Sequence, residues 1–155
     1  MSFKVYFLPA TAAPATIAAV RNAPPPVEAG VGTSLKGRVP GVDWSANGRT
    51  LVLAISSTCH FCKDSEPFYR KLRQQLGKGI KMVAVLPQPV TEAEQYLKND
   101  GVAVDQVKQV SMGALGVRGT PTMLLVDKGG VVTKVWTGRL QPDQEEQVLS
   151  FLRKG

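Results

Sequence analysis

A short apolar segment that leads directly into a pair of cysteines constrains the fold of this chain more than any other feature of the sequence. Residues 51–55 form an unbroken apolar run, which is typical of a central strand covered on both faces. Three hydroxyl residues follow at 56–58, and after them comes Cys59-His60-Phe61-Cys62. Thr58 is a residue type favoured at a helix N-cap, and apolar residues recur at helical spacing up to Gly77. The segment therefore predicts a buried strand, a turn and a helix that begins at the cysteines.

The remaining segments extend this pattern into an alternation of strands and helices. Residues 80–86 repeat the buried-strand pattern, and residues 91–100 predict a short helix in which Thr91 and Glu94 have capping-box spacing. Strands predicted at 122–126 and 131–137 flank glycines suited to a hairpin turn, and a final helix is expected to start near Pro142. The order predicts an α/β fold with a central mixed β-sheet and flanking helices.

The first thirty residues differ from the rest of the chain. From Pro9 to Gly30, eight Ala and five Pro occupy 13 of 22 positions, a composition typical of a linker. We therefore expect residues 1–30 to form an Ala/Pro-rich tether, following a membrane anchor that this chain does not contain, and residues 31–155 to form the folded domain. A signal sequence, interrupted by Pro9 and Pro14, and a terminus without a role are the alternatives.

Composition excludes several classes of function. The chain carries 19 Lys and Arg against 12 Asp and Glu, a formal charge of +7, which favours acidic partners. Only 6% of the residues are aromatic and no nucleic-acid motif is present, so we expect no nucleic-acid partner. Two cysteines and one histidine are too few for a four-ligand zinc site within one chain. We expect neither a metal nor another bound cofactor.

The chemistry of the chain is expected at Cys59 and Cys62. At a helix N-terminus, Cys59 meets unpaired backbone N–H groups that stabilise its thiolate and lower its pKa. Cys62 lies three residues further along the same helix face, so it can attack a mixed disulfide formed by Cys59 and release the substrate. Two other interpretations of the cysteine pair remain: it could be half of a zinc site shared between two chains, or it could form a purely structural disulfide.

The chain resembles the thioredoxin superfamily, and within it the TlpA-like extracytoplasmic thiol-disulfide oxidoreductases, in several separate features. These features are the cysteine pair after a hydrophobic strand, Pro67 five residues beyond Cys62, and the sequence Val-Arg-Gly-Thr-Pro-Thr at residues 117–122, which precedes a predicted strand and hairpin. The resemblance spans roughly residues 31–155 and implies a thioredoxin-like fold. It also implies a cis bond between Thr120 and Pro121, facing the cysteines and pairing with a substrate strand, and a kink of the active-site helix at Pro67.

The chain departs from thioredoxin in ways that affect its mechanism. Leu53 stands where thioredoxin has an acidic proton-transfer residue, and His60-Phe61 replaces the Gly-Pro between the cysteines. A protonated His60 would stabilise the Cys59 thiolate and make the pair more oxidising, although an exposed spacer is an equal interpretation. Phe61 is expected to offer an apolar surface to extended protein substrates. The direction of electron flow therefore does not transfer from the family.

These observations predict a thiol-disulfide oxidoreductase that acts outside the cytoplasm, in a bacterial periplasm or cell envelope. The expected catalytic residues are Cys59 and Cys62, and the expected substrate-binding residues are His60, Phe61, Thr120 and Pro121. The partners would be protein thiols or disulfides and a protein that recycles the pair. The alternatives are a peroxiredoxin-like thiol peroxidase, for which Ser56 matches the required hydroxyl but Val52 replaces the required proline, and a non-enzymatic binding module with a static disulfide.

Overall fold

The computed structural model describes residues 28–77 and 79–154. Within them the strands are β1 (Thr50–Ala54), β2 (Lys81–Leu86), β3 (Gln106–Gln109), β4 (Thr122–Val126) and β5 (Val132–Thr137). The helices are α1 (Trp44–Asn47), α2 (His60–Asp64), α3 (Glu66–Leu76), α4 (Val90–Asn99), α5 (Met112–Leu115) and α6 (Pro142–Lys154). Most of the tether expected at 1–30 lies outside the described residues.

The five strands form one mixed sheet in the order β3-β2-β1-β4-β5. β1 pairs in parallel with β2, and β2 with β3, whereas β4 runs antiparallel to both β1 and β5. The register places Ala54, the last residue of β1, opposite Thr122, the first residue of β4. The segments that follow β1 and precede β4 therefore meet at one end of the sheet. The predicted mixed sheet and the hairpin that ends it are confirmed.

Apolar cores on both faces of the sheet explain why the β1 sequence is apolar throughout. Successive side chains of a strand point to opposite faces. Leu51 and Leu53 pack on one side with α3, α4 and α6, whereas Val52 and Ala54 pack on the other with α1 and residues around 115–117. All five residues of β1 are buried. An apolar run without alternation is what a doubly covered strand requires.

The helix that carries the cysteines is interrupted at Ser65, where α2 ends and α3 begins. The Ser65 N–H donates to the carbonyl oxygens of Phe61 and Cys62, each at 3.1 Å, and the Ser65 hydroxyl donates to the Phe61 carbonyl at 2.8 Å. Pro67 lies in the first turn of α3 and has no N–H to donate to the preceding turn. The active-site helix is thus interrupted at Ser65, and Pro67 lies in the first turn of its second part.

Two predicted helix caps are wrong. The N-cap of α2 is Cys59, whose sulfur accepts a hydrogen bond from the Cys62 N–H, whereas Thr58 lies one residue too early. The capping box of Thr91 and Glu94 does not form, because α4 begins at Val90 behind Pro89 and has no side-chain cap. A fixed proline φ near the helical value is enough to start that helix without a capping side chain.

The folded part of the chain reaches upstream of residue 31. Ala29 is buried in the core around Val52, and its N–H donates to the Gly116 carbonyl at 2.7 Å. Residues 29–44 cover this face of the sheet through Ala29, Leu35, Val39 and Trp44. In the described ranges, every helix is too short or too polar to span a lipid bilayer.

Candidate active site

The two cysteines lie at the junction of β1 and α2 and are joined by a disulfide, with a Cα–Cα separation of 5.2 Å. The Cys59 N–H donates to the Ser56 carbonyl at 3.2 Å, and the Cys59 sulfur accepts from the Cys62 N–H at 3.0 Å. Cys59 is partly exposed, whereas Cys62 is fully buried. A thiol or disulfide from outside can therefore reach the sulfur of Cys59 and not that of Cys62.

The two residues between the cysteines point outward. Phe61 is 53% exposed and its ring packs edge-on against the His60 ring, with 5.6 Å between centroids. The His60 Nε2 lies 3.3 Å from Asp64 Oδ2, one turn further along α2. The same carboxylate lies 3.4 Å from Arg139 Nη1, in the loop after β5. An aromatic surface and a group of opposite charges thus border Cys59.

The Thr120–Pro121 peptide bond is cis, as predicted. The Pro121 carbonyl accepts from the Gly138 N–H at 2.8 Å, and the Thr122 hydroxyl donates to the Gly119 carbonyl at 2.8 Å. The backbone N–H and C=O of Thr120 make no hydrogen bond within the described residues. Because Thr122 pairs with Ala54, this loop and the cysteine turn leave the same end of the sheet.

A cavity of about 380 Å³ lies along the outer side of this loop. It is lined by residues 116–122, by Val135, Thr137 and Gly138, and by Glu28 and Ala29 at the start of the folded part. Arg118 and Glu28, two of its lining residues, form an ion pair with 3.0 Å between Nε and Oε1. A cavity lined mainly by glycines and small side chains leaves room for an extended peptide.

Glu66, buried at the start of α3, is the centre of an acidic cluster that no pattern in the sequence predicted. The Tyr96 hydroxyl donates to Glu66 Oε2 at 2.7 Å, and Lys63 lies 3.2 Å from Asp100 and 4.0 Å from Glu66. Burial and a hydrogen bond with Asp100 raise the pKa of Glu66, and the same hydrogen bond lowers the pKa of Asp100. A glutamate at a helix start is ordinarily exposed, so its type alone carries no signal of burial.

Leu53 occupies the strand position at which thioredoxin carries its acidic residue, and it is fully buried among apolar side chains. In the described segments, no group of three or more His, Cys, Asp or Glu residues is arranged to hold a metal ion. The residues that this site offers for chemistry are therefore the two sulfurs and the polar groups that surround them.

Comparison with known proteins agrees with this geometry. The family model described as thioredoxin-like domain matches residues 45–153. Thiol-disulfide oxidoreductase ResA of Geobacillus thermodenitrificans is 29% identical over 101 residues, which cover 61% of this chain and 58% of that protein. This chain thus spans a little over half the length of the curated relative that it matches.

Solved structures share the fold at lower identity. StoA of Bacillus subtilis superposes with a TM-score of 0.55 at 19% identity, covering 68% of this chain and 83% of that one. A candidate thiol:disulfide interchange protein, DsbE, from Chlorobium tepidum gives a TM-score of 0.59 at 21% identity, covering 84% and 96%. The family match extends over most of the folded part and includes both cysteines; the chain belongs to the thioredoxin-like family.

Proposed function

We propose that this protein is a thiol-disulfide oxidoreductase that exchanges disulfides with protein cysteines through Cys59 and Cys62. The observation that carries the proposal is the disulfide between a partly exposed Cys59 and a fully buried Cys62 at the start of a helix. Exchange between two partners needs one sulfur open to the substrate and a second that only the first can reach. The similarity to a relative named thiol-disulfide oxidoreductase supports the same activity.

The reduced pair transfers two electrons to a substrate disulfide in two steps. The Cys59 thiolate attacks one substrate sulfur, forming a mixed disulfide, and the other substrate sulfur leaves as a thiolate that takes up a proton. The Cys62 thiol then loses its proton and attacks the Cys59 sulfur, which closes the internal disulfide and releases the second substrate thiolate. The reverse sequence oxidises a substrate dithiol. No bound cofactor is needed in either direction.

The surroundings of Cys59 support an extended polypeptide as the substrate. Thr120 offers a backbone N–H and C=O beside Pro121 that make no hydrogen bond with any described residue, which suits pairing with a substrate strand. Phe61 supplies apolar area, and His60 lies beside it with its Nε2 3.3 Å from Asp64 Oδ2. We assign these four residues, His60, Phe61, Thr120 and Pro121, to substrate binding. Thr120 and Pro121 would hold the substrate backbone, and His60 and Phe61 would contact its side chains.

A thiol peroxidase is the second enzymatic candidate, and the geometry around Ser56 argues against it. Such an enzyme needs a hydroxyl directed at the reactive sulfur, but the Ser56 hydroxyl lies 3.1 Å from that of Thr58 and accepts from the Gln88 amide at 3.0 Å. Val52, at the position of the required proline, is a buried residue in the middle of β1. A peroxide-consumption assay with the reduced protein separates the two activities.

We place the protein outside the cytoplasm, because its cysteine pair, Pro67 and residues 117–122 resemble those of the TlpA-like extracytoplasmic oxidoreductases. Residues 1–27 would tether the domain to the cell envelope, and a second redox protein would recycle the cysteine pair. A fusion of the complete protein to a reporter that is active only outside the cytoplasm tests the location. Reporter activity supports this placement, and its absence in correctly expressed protein contradicts it.

The experiment for the activity uses glutathione buffers and a disulfide-linked peptide. Wild-type protein should reach equilibrium with glutathione and exchange with the peptide, and Cys59→Ser should abolish both. The measured potential, compared with about −270 mV for a reductant and about −120 mV for a strong oxidant, gives the direction of electron flow. A disulfide that does not exchange with glutathione would show that the protein is a binding module with a static bridge.

A further inference from the structure

A glutamine outside the cysteine motif holds the turn that leads into Cys59. Gln88 lies in the loop between β2 and α4, and its side-chain oxygen accepts from the Ser57 N–H at 3.2 Å. Its side-chain nitrogen donates to the Ser56 hydroxyl at 3.0 Å. That hydroxyl also accepts from the Thr58 N–H at 3.3 Å and lies 3.1 Å from the Thr58 hydroxyl. One network therefore joins Gln88 to the residue directly before Cys59.

The donors and acceptors around Ser56 favour one arrangement of the hydrogen atoms in this network. The Ser57 N–H can only donate, so the Gln88 amide must turn its oxygen toward Ser57 and its nitrogen toward Ser56. Ser56 then receives two N–H donors, which occupy both lone pairs of its oxygen. Its own hydrogen is left for the Thr58 oxygen at 3.1 Å. The Thr58 hydroxyl accepts from Ser56 and keeps its own hydrogen free to donate.

The free hydrogen lies where a substrate must pass. Thr58 is exposed, and it directly precedes the partly exposed Cys59. The Cys59 sulfur already accepts from the Cys62 N–H, so a substrate acceptor is the available target for a donor at Thr58. Accepting a hydrogen bond from Ser56 also polarises the Thr58 O–H and strengthens it as a donor.

We infer that the Thr58 hydroxyl binds a backbone carbonyl of the substrate beside its reacting cysteine, and that Gln88 and Ser56 are the positioning residues that keep Thr58 a donor. The inference rests on the proposed function and adds a substrate contact to it. Thr58 contributes to binding in the complex with the peptide. It does not change the chemistry of the sulfurs.

Gln88→Glu is the discriminating substitution, because it reverses the direction of the network while leaving Thr58 in place. One carboxylate oxygen still accepts from the Ser57 N–H, but the other can no longer donate to Ser56. The Ser56 hydrogen then turns toward that carboxylate, and the Ser56 oxygen accepts from Thr58. The Thr58 hydroxyl then donates to Ser56 within the protein and no longer donates to the substrate.

The test measures single-turnover reduction of a symmetric, disulfide-linked dimer of a linear peptide by excess reduced protein. Loss of one neutral hydrogen bond in Thr58→Val should raise the half-saturating protein concentration about three- to tenfold with the maximal rate unchanged. The pH profile of Cys59 alkylation should not move. Thr58→Ser should behave as wild type, and Thr91→Val, at an exposed threonine of α4, is the matched control.

A double-mutant cycle separates this mechanism from a direct effect of the new charge. If Gln88→Glu has already turned the Thr58 hydrogen inward, adding Thr58→Val to it should raise the half-saturating concentration no further. An equal rise in both backgrounds, or no rise in Thr58→Val alone, would overturn the inference. Wild-type protein that neither reduces the disulfide-linked peptide nor, in its oxidised form, oxidises the free peptide thiol would instead refute the proposed function, so the two failures are distinguishable.

Discussion

Replacing Tyr96 by Phe tests the acidic cluster around Glu66. The substitution removes the hydroxyl that donates to Glu66 Oε2 at 2.7 Å and keeps the ring. Glu66 is only 6% exposed, so water cannot easily replace the lost donor. A hydrogen bond to a charged group contributes about 1.5–3 kcal/mol, and one between neutral groups about 0.5–1.5 kcal/mol. The decrease in the free energy of unfolding therefore depends on whether Glu66 is ionised.

The pH dependence follows from the direction of the pKa effects. Burial and Asp100 raise the pKa of Glu66, whereas the hydrogen bond from Tyr96 lowers it. The Tyr96 contribution to stability is therefore fully present above the pKa of Glu66, which lies above its usual value of 4.5, and declines as the pH falls through it. We expect Tyr96→Phe to lower the free energy of unfolding by about 2 kcal/mol at pH 8 and by about 1 kcal/mol at pH 4.

Urea unfolding at the two pH values measures this difference, and thermal unfolding should show a fall in Tm of about 6–10 °C at pH 8. Tyr69→Phe, at a buried tyrosine of α3, is the control, and its free energy of unfolding should fall by the same amount at both pH values. In Glu66→Gln the pH dependence of the Tyr96→Phe effect should disappear. An equal loss for Tyr96→Phe at pH 4 and pH 8 would refute the reasoning.

Three further predictions concern the site and its tether. Phe61→Ala should weaken binding of an unfolded protein substrate several-fold, measured as KM, and leave Tm within 2 °C because the ring is largely exposed; an unchanged KM would exclude the apolar contact. Brief iodoacetamide treatment of the reduced protein should label Cys59 before Cys62, as read by mass spectrometry, and the opposite order would reverse their roles. Deleting residues 1–27 should leave Tm and peptide exchange unchanged, since the contacts of Ala29 remain; a fall in Tm of more than a few degrees would show that the deleted segment packs on the domain.

The sequence predicted those parts of the fold in which burial produces a regular pattern of apolar residues along the chain. The unbroken apolar run of β1 and the helical spacing of apolar residues in α3 and α6 identify the central layers. β3 was missed because Gln106, Lys108 and Gln109 lie at the edge of the sheet, where polar side chains remain solvated. The four-residue helices α1 and α5 are too short to show a period.

The candidate site was predictable to the extent that it is local in sequence. Cys59 to Cys62 are four consecutive residues, and the strand pattern before them placed both cysteines at the start of one helix. The cis bond at Thr120 came from the resemblance to a family and not from the residues themselves. Glu66 and Gln88 were missed because their partners, at Tyr96 and Ser56, are 30 and 32 residues away. Contacts of that kind depend on how the sheet brings loops together.

The central claim is that Cys59 attacks the substrate and Cys62 completes the exchange, and trapping the intermediate tests it most directly. Reduced Cys62→Ser and Cys59→Ser proteins are each mixed with the disulfide-linked peptide, quenched in acid and analysed by mass spectrometry without reductant. Cys62→Ser should accumulate a mixed disulfide between Cys59 and one peptide, because no second thiol remains to release it. Cys59→Ser should trap none, since Cys62 is fully buried. A mixed disulfide on Cys62 in Cys59→Ser, with none in Cys62→Ser, would contradict the account.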